Sequence, residues 1–240
     1  MTADVPSADA AVEAGEATTS LRELAVARSL DPARVRAEKR VQRFLDAALE
    51  LMSSTSGKEF TVQEVVEKSG QSLRSFYQYF AGKYELLLAL FEESVRSTAE
   101  QLGELVADEA EPLERLRILA TEYYRTCQPG AKPKQKGGGK VPASAMAEFA
   151  QQLLTEHPRE ASQAFVPMVS LFTDALDAAA EAGSVRPGLD HRRLAGVMLQ
   201  SIMFNAFAST ISGTSVHADA EGAAGELWEL VMHGIATDRS

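Results

Sequence analysis

Apolar residues recur along most of this chain every three to four positions, and short polar breaks cut the pattern into helix-length segments. Leu21, Leu24 and Leu30 suggest a short helix, but Asp31-Pro32 is the stronger start, because aspartate caps free N–H groups and proline suits a first turn. Val35, Val41, Phe44, Leu45, Ala48, Leu49 and Met52 then follow at helical spacing until the run from Ser53 to Gly57. Thr61-Val62-Gln63-Glu64 is a capping box; Val62, Val65 and Val66 give the next helix its buried face, and Ser69-Gly70 stops it. Ser72 caps a second short helix bearing Leu73, Phe76 and Phe80, broken at Ala81-Gly82. A long amphipathic helix is predicted over 83–107 through Leu86, Leu90, Phe91, Val95 and Leu102, and another over 112–127, opened by Pro112. Four more are predicted over 143–156, 159–182, 190–212 and 219–236. No segment alternates with period two, so the expected fold is all-α, with about nine helices.

Composition adds boundaries. The first twenty residues carry Asp4, Asp9, Glu13 and Glu16 and no base, and residues 1–30 are expected to form a disordered acidic arm. Residues 128–142 hold three prolines, four glycines and four lysines, a composition that predicts a mobile basic loop. Of 240 residues, Cys127 is the sole cysteine, which excludes an intrachain disulfide and a cysteine-ligated zinc site. It reads most simply as a small residue at a helix end, with a thiol sensor as the alternative. The four histidines are not spaced as a ligand pair, so no metal is expected, and no cofactor fingerprint or nucleophile elbow is present. No apolar run approaches the ~20 residues that span a bilayer, and no signal peptide opens the chain. The expectation is a cytoplasmic protein, not a membrane protein and not an enzyme.

The two short helices, separated by Lys68-Ser69-Gly70-Gln71, have the spacing of a helix-turn-helix, in which the second helix enters the major groove. Short helix pairs abound in all-α proteins, and the composition of the second helix is what favours DNA. Arg74, Ser75, Tyr77, Gln78 and Tyr79 are all hydrogen-bonding side chains with no carboxylate among them, and Arg and Gln match guanine and adenine edges bidentately. Arg74 is the first candidate for base readout and Gln78 the second. Ser72 and Thr61 are caps first and DNA contacts second.

Residues 34–91 resemble the N-terminal DNA-binding domain of TetR-type one-component transcriptional regulators. Phe60-Thr61-Val62, Ser69-Gly70, the run Ser75 to Phe80, and Lys83 followed by Glu85-Leu86-Leu87 fall at the family's spacing. The resemblance implies Ser75 as the family's small hydroxyl residue, Phe76 as its buried anchor, Tyr77 and Tyr79 as groove and phosphate contacts, and Lys83 as a phosphate contact. Gln71 departs from the pattern, where an apolar residue is usual, and Leu73 is the candidate to supply the missing contact. The resemblance divides the chain into a DNA-binding domain over 31–82 and a ligand-binding and dimerisation domain over 83–240. It places Gly183 to Pro187, followed by Asp190, before the penultimate helix. It further implies a homodimer built from the last two long helices, a palindromic double-stranded DNA operator, and a small effector that releases it.

The effector's site is expected among adaptable side chains of the C-terminal half. Phe165, Met168 and Phe172 on one helix and Met198, Ile202, Met203, Phe204 and Phe207 on the next suit an apolar or acyl ligand, because Met and Phe repack readily and bury large areas. Gln200, Ser201 and Asn205 would supply polar groups; core packing is the competing reading for each apolar residue. Trp228 is expected in the core or at the dimer interface. Two other functions remain open, a small all-α enzyme acting on an apolar metabolite and a ligand-free helix-turn-helix architectural protein. Charge separates the regions: the net −10 divides into −4 over residues 1–33, +3 over 34–83 and −9 over 84–240. The DNA-reading segment is thus a basic island in an acidic chain.

Overall fold

The computed structural model describes residues 21–54, 60–128, 147–211 and 220–235. The first twenty residues of the expected acidic arm, residues 129–142 of the expected basic loop and the first four residues of the helix expected over 143–156 lie outside these. Among the described residues the chain is helical, with ten α-helices and no strand. It divides into two compact units, residues 1–42 and 43–240.

Within the first unit the described chain is the opening part of α1 (Leu21–Ser54). Asp31-Pro32, the expected start, lies inside this helix, so the expected arm over 1–30 ends by residue 20 at the latest. Proline removes one N–H from the ladder and crowds the carbonyl four residues earlier, a local cost that good helix formers on both sides outlast. Arg40 is exposed on this part of α1.

The second unit begins with the end of α1, followed by α2 (Val62–Ser69) and α3 (Leu73–Tyr79). Phe44 of α1 is fully buried and meets Phe76 edge-on at 5.4 Å and Phe80 at 6.2 Å; Phe76 and Phe80 lie 5.4 Å apart. This aromatic cluster, with Leu45, Leu49, Val65 and Val66 also buried, is the hydrophobic core of a three-helix domain. Lys68 Nζ pairs with Glu50 at 2.7 Å and ties the end of α2 to α1.

From Lys83 the chain enters α4 (Lys83–Leu105), then α5 (Pro112–Cys127), α6 (Ala147–Glu156), α7 (Pro158–Ala164), α8 (Val166–Glu181), α9 (His191–Ile211) and α10 (Ala220–Ile235). The single helix predicted over 159–182 is two, because Pro167 in the first turn of α8 has no N–H to continue the ladder from α7 and Phe165 forms the joint. Helix α5 is central and packs against α4, α8, α9 and α10. Leu116, Leu119, Tyr123, Tyr124 and Cys127 are buried on it, and the Tyr124 hydroxyl donates to Asn205 Oδ1 of α9 at 3.2 Å. Trp228 of α10 is buried, as expected of a core residue.

The turn between α8 and α9 follows the expected sequence. Gly183 adopts the left-handed conformation (φ 75°), its N–H donating to Ala180 and that of Ser184 to Ala179, which closes the end of α8. The Asp190 carboxylate accepts the Arg193 backbone N–H at 3.0 Å and caps α9. His191 Nδ1 pairs with Asp177 Oδ1 at 2.6 Å, joining the start of α9 to α8.

Candidate functional site

The helix pair α2–α3 is built from its caps. Thr61 Oγ1 accepts the Glu64 backbone N–H at 3.3 Å, while Glu64 Oε2 accepts the Thr61 backbone N–H at 2.7 Å and its hydroxyl at 2.9 Å. These bonds to its charged form hold the Glu64 carboxyl below its ordinary pKa, the backbone N–H of Thr61 contributing most. At the other end Gly70 is left-handed (φ 64°); its N–H donates to Glu67 and that of Gln71 to Val66. A residue with a Cβ is strained at that angle, so Gly70 sets the bend between the two helices. Gln71, half-buried, closes this turn with its backbone. Leu73 does not supply the apolar contact expected of it, being 43% exposed, because its place in the first turn of α3 points it outward from the core.

Ser72 Oγ accepts the Ser75 N–H at 3.1 Å and starts α3. Phe76 is fully buried, which fixes the rotation of this short helix and turns Arg74, Tyr77 and Gln78 outward. These three occupy positions i, i+3 and i+4, one exposed face. Tyr77 is 56% exposed, with its ring edge-on to Phe76 at 5.4 Å, whereas Ser75 and Tyr79 are half-buried. Lys83 Nζ lies 4.7 Å from the centre of the Phe60 ring and near enough to Glu64 to help lower its pKa. The eight residues expected at the DNA surface therefore fall into the outward trio, two half-buried flanks at Ser75 and Tyr79, two caps at Thr61 and Ser72, and Lys83 at the start of α4.

In the C-terminal region a cleft of about 510 Å³ opens between α6, α7, the start of α8 and α9. Leu154, Pro158 and Ala161 form one wall, Phe165, Val166 and Val169 the second, and Gly196, Leu199 and Met203 of α9 the third. Polar groups come from Ser162, Gln200, Asp190, Arg192 and Arg193. Of the residues expected for the ligand, Phe165, Gln200 and Met203 line it. Met168, Phe172, Met198 and Ile202 are buried in the helical core, Phe172 against the Tyr123 ring at 6.1 Å. Ser201, Phe204 and Asn205 are exposed on another side of α9. Large apolar side chains on facing helices pack against each other first; the cleft forms where Gly196 and Ala161 leave space, a signal of small residues that a search for bulky ones passes over.

Cys127 is buried, and burial pushes its thiol up to about 12. A buried, protonated thiol fits the reading of Cys127 as a small residue at a helix end, since a thiolate is the reactive species. Among the described residues no group of three or more histidine, cysteine or carboxylate side chains is arranged to hold a metal, and no helix is long and apolar enough to cross a membrane.

An N-terminal core that presents a capped, carboxylate-free helix behind a glycine turn has the geometry of a helix-turn-helix. Residues 44–90 match the family described as bacterial regulatory proteins, tetR family, and the chain carries this TetR-type DNA-binding domain. A fatty acid metabolism regulator protein of Bacillus subtilis is 23% identical over 82 residues, 34% of this chain and 42% of that protein's length. An uncharacterised helix-turn-helix transcriptional regulator of Mycobacterium tuberculosis is 25% identical over 136 residues, 51% of this chain and 67% of its own. The fold is that of TetR-family regulators along most of its length. The regulator FadR from Bacillus subtilis, solved with stearoyl-CoA, superposes with a TM-score of 0.61 at 17% identity, over 80% of this chain and 98% of that one. Thermus thermophilus FadR, a repressor solved with lauroyl-CoA, gives 0.60 at 20% identity, over 83% and 97%.

Proposed function

We propose that this protein is a ligand-responsive transcriptional repressor, a cytoplasmic homodimer that binds a palindromic operator and leaves it when a small apolar or acyl-type effector enters the C-terminal domain. The observation that carries this reading is the outward trio Arg74, Tyr77 and Gln78 on a helix whose rotation is set by buried Phe76. Arg74 and Gln78 would read base edges, Tyr77, Tyr79 and Lys83 would hold phosphates and set register, and Thr61 and Ser72 would keep the helix ends in place. The FadR proteins that share the fold were solved with acyl-CoA, which supports an acyl-type effector.

What α9 and α10 leave uncovered supports dimerisation. Val197 and Phe204 lie two turns apart on α9, with Gln200 and Ser201 between them, and Leu230 of α10 is 71% exposed. Apolar side chains exposed on both helices suit a four-helix bundle between two copies, which would set the recognition helices near the ~34–36 Å spacing of successive major grooves. An effector releases DNA only by binding more tightly to a state in which that spacing is wrong. Helix α4 is the lever: its first turn holds Lys83 beside the DNA-reading helix, and its 23 residues extend ~35 Å into the C-terminal domain. A 100-fold loss of operator affinity needs ~2.7 kcal/mol of coupling.

Selection of duplexes from a random pool, followed by fluorescence anisotropy of the enriched sequence, tests the reading. The expected result is a palindromic consensus bound by a dimer. Binding with no sequence preference at any salt concentration would overturn it.

A further inference from the structure

We propose that the cleft between α6, α7, α8 and α9 is a site for an acyl chain bearing an anionic head, with Arg192 and Arg193 as the residues that select the anion. The inference rests on the effector reading above and assigns it a place and a chemistry that differ from the Met- and Phe-rich core.

Two properties of the cleft point the same way. Its walls are apolar over most of their extent, and its volume of about 510 Å³ lies within the range of small-molecule sites, ~300–1,000 Å³. Two guanidinium groups from adjacent residues in the first turn of α9 then border it, both on exposed residues, and neither has an ion pair among the described residues. The neighbouring acid, Asp190, already accepts the Arg193 backbone N–H at 3.0 Å as the cap of α9. The nearby His191 is paired with Asp177. Residues 84–240 carry a net charge of −9, so two unpaired arginines at the edge of one apolar cleft run against the local balance. Guanidinium forks bind carboxylate and phosphate oxygens bidentately, and Ser162 and Gln200 add neutral hydrogen-bonding groups nearby. The chain would lie along Gly196, where a Cβ would meet nothing within 4 Å.

Calorimetric titration of the full chain with laurate, lauroyl-CoA and dodecanol tests the proposal. All three share a twelve-carbon chain; the first two differ in the source of the anion, and the alcohol carries none. Binding of at least one anionic probe is expected, weakened tenfold or more in the double variant Arg192→Ala/Arg193→Ala and restored substantially in Arg192→Lys/Arg193→Lys. Dodecanol should bind more weakly than the better anion and be indifferent to both double variants. Gly196→Leu, which extends a good helix former into the cleft, should remove binding of every probe while keeping the helical content and melting midpoint of the parent. Preference for laurate assigns the head to a carboxylate, and preference for lauroyl-CoA assigns it to phosphates; either supports the proposal. Failure of both anions to bind, or anion binding unchanged in the alanine pair or in Gly196→Leu, overturns it. Operator binding without any probe is read in parallel. A chain that binds its selected operator but ignores these probes loses only the cleft assignment, and one that binds the probes but no specific DNA loses only the repressor reading.

Discussion

The ring of Tyr84, second residue of α4, lies 4.7 Å from the ring of His157, where α6 passes into α7. Leu154 and Pro158 on either side of His157 line the cleft, while Lys83 beside Tyr84 opens the helix that follows the DNA-reading pair. One aromatic contact thus separates the wall of the cleft from the first turn of α4. Phe91, two turns along α4, continues the seam against Phe149 at 6.1 Å and Phe165 at 5.4 Å. If this seam transmits effector binding, His157→Ala should leave operator affinity without effector within twofold and reduce effector-driven release at least fivefold, read by anisotropy. Equal release in variant and parent would place the coupling elsewhere.

The same tyrosine predicts a change in stability. Its hydroxyl oxygen is buried without a hydrogen-bond partner, and burial raises its pKa, with Glu160 and Glu156 adding to the effect. An unsatisfied buried hydroxyl costs ~1–3 kcal/mol, so Tyr84→Phe should keep the ring contact and leave the protein as stable or more so. A melting midpoint lowered by several degrees would show that the hydroxyl is satisfied in solution.

On the DNA surface, Arg74→Ala should relax sequence preference by ~1–3 kcal/mol at one base pair of each half-site, as a lost bidentate base contact does. Lys83→Ala should instead weaken binding to all sequences and lower the salt slope by about one unit. Competition between selected and scrambled duplexes at several salt concentrations separates the two. The opposite assignment of the residues would show as the opposite pattern.

Acid should loosen the cap of α2. Glu64 has a folded-state pKa below its ordinary value of 4.5, so the stability its carboxylate contributes is fully present above that value and is lost as pH falls through the folded pKa. Thr61→Ala removes the partner hydroxyl. Its melting midpoint should fall by ~2–4 °C near neutrality, and the difference from the parent should narrow below pH 4. A gap independent of pH would mean that the bond from the Thr61 hydroxyl to Glu64 does not persist in solution.

Cys127 should resist alkylation. With its thiol pushed up to about 12 by burial, iodoacetamide at pH 8 should leave the native chain unmodified by mass spectrometry and label it fully in denaturant. Rapid labelling of native protein would expose a locally opened end of α5.

Leu230→Glu replaces the exposed apolar side chain of α10 with a charge and should give monomers by light scattering, with loss of operator binding but retention of helical content. A dimer that survives this change would move the interface away from that residue.

The DNA-reading half was legible in the sequence because its signals are local. A capping box needs only residues 61 and 64, the glycine stop only the turn at 70, and the outward face of α3 only the spacing of Arg74, Tyr77 and Gln78 from Phe76. Proline was legible only in part: Asp31-Pro32 reads as a start yet lies within α1, whereas Pro167 divides a segment whose apolar spacing runs on unbroken. Which of two possible outcomes a proline produces depends on what packs around it.

Phe165, Gln200 and Met203 of the cleft were legible in the sequence, and tertiary structure decided the rest. Met168, Phe172, Met198 and Ile202 have the composition of a pocket, but their helices face one another closely enough for them to fill the space between. The opening lies instead where small side chains from α7 and α9 meet and where the turn after Gly183 brings Arg192 and Arg193 to its edge. Hydrophobic periodicity determines which face of each helix turns inward, and hence the class of fold. Whether two inward faces close or leave a cavity depends on side-chain volumes summed across helices far apart in sequence, which no single segment carries.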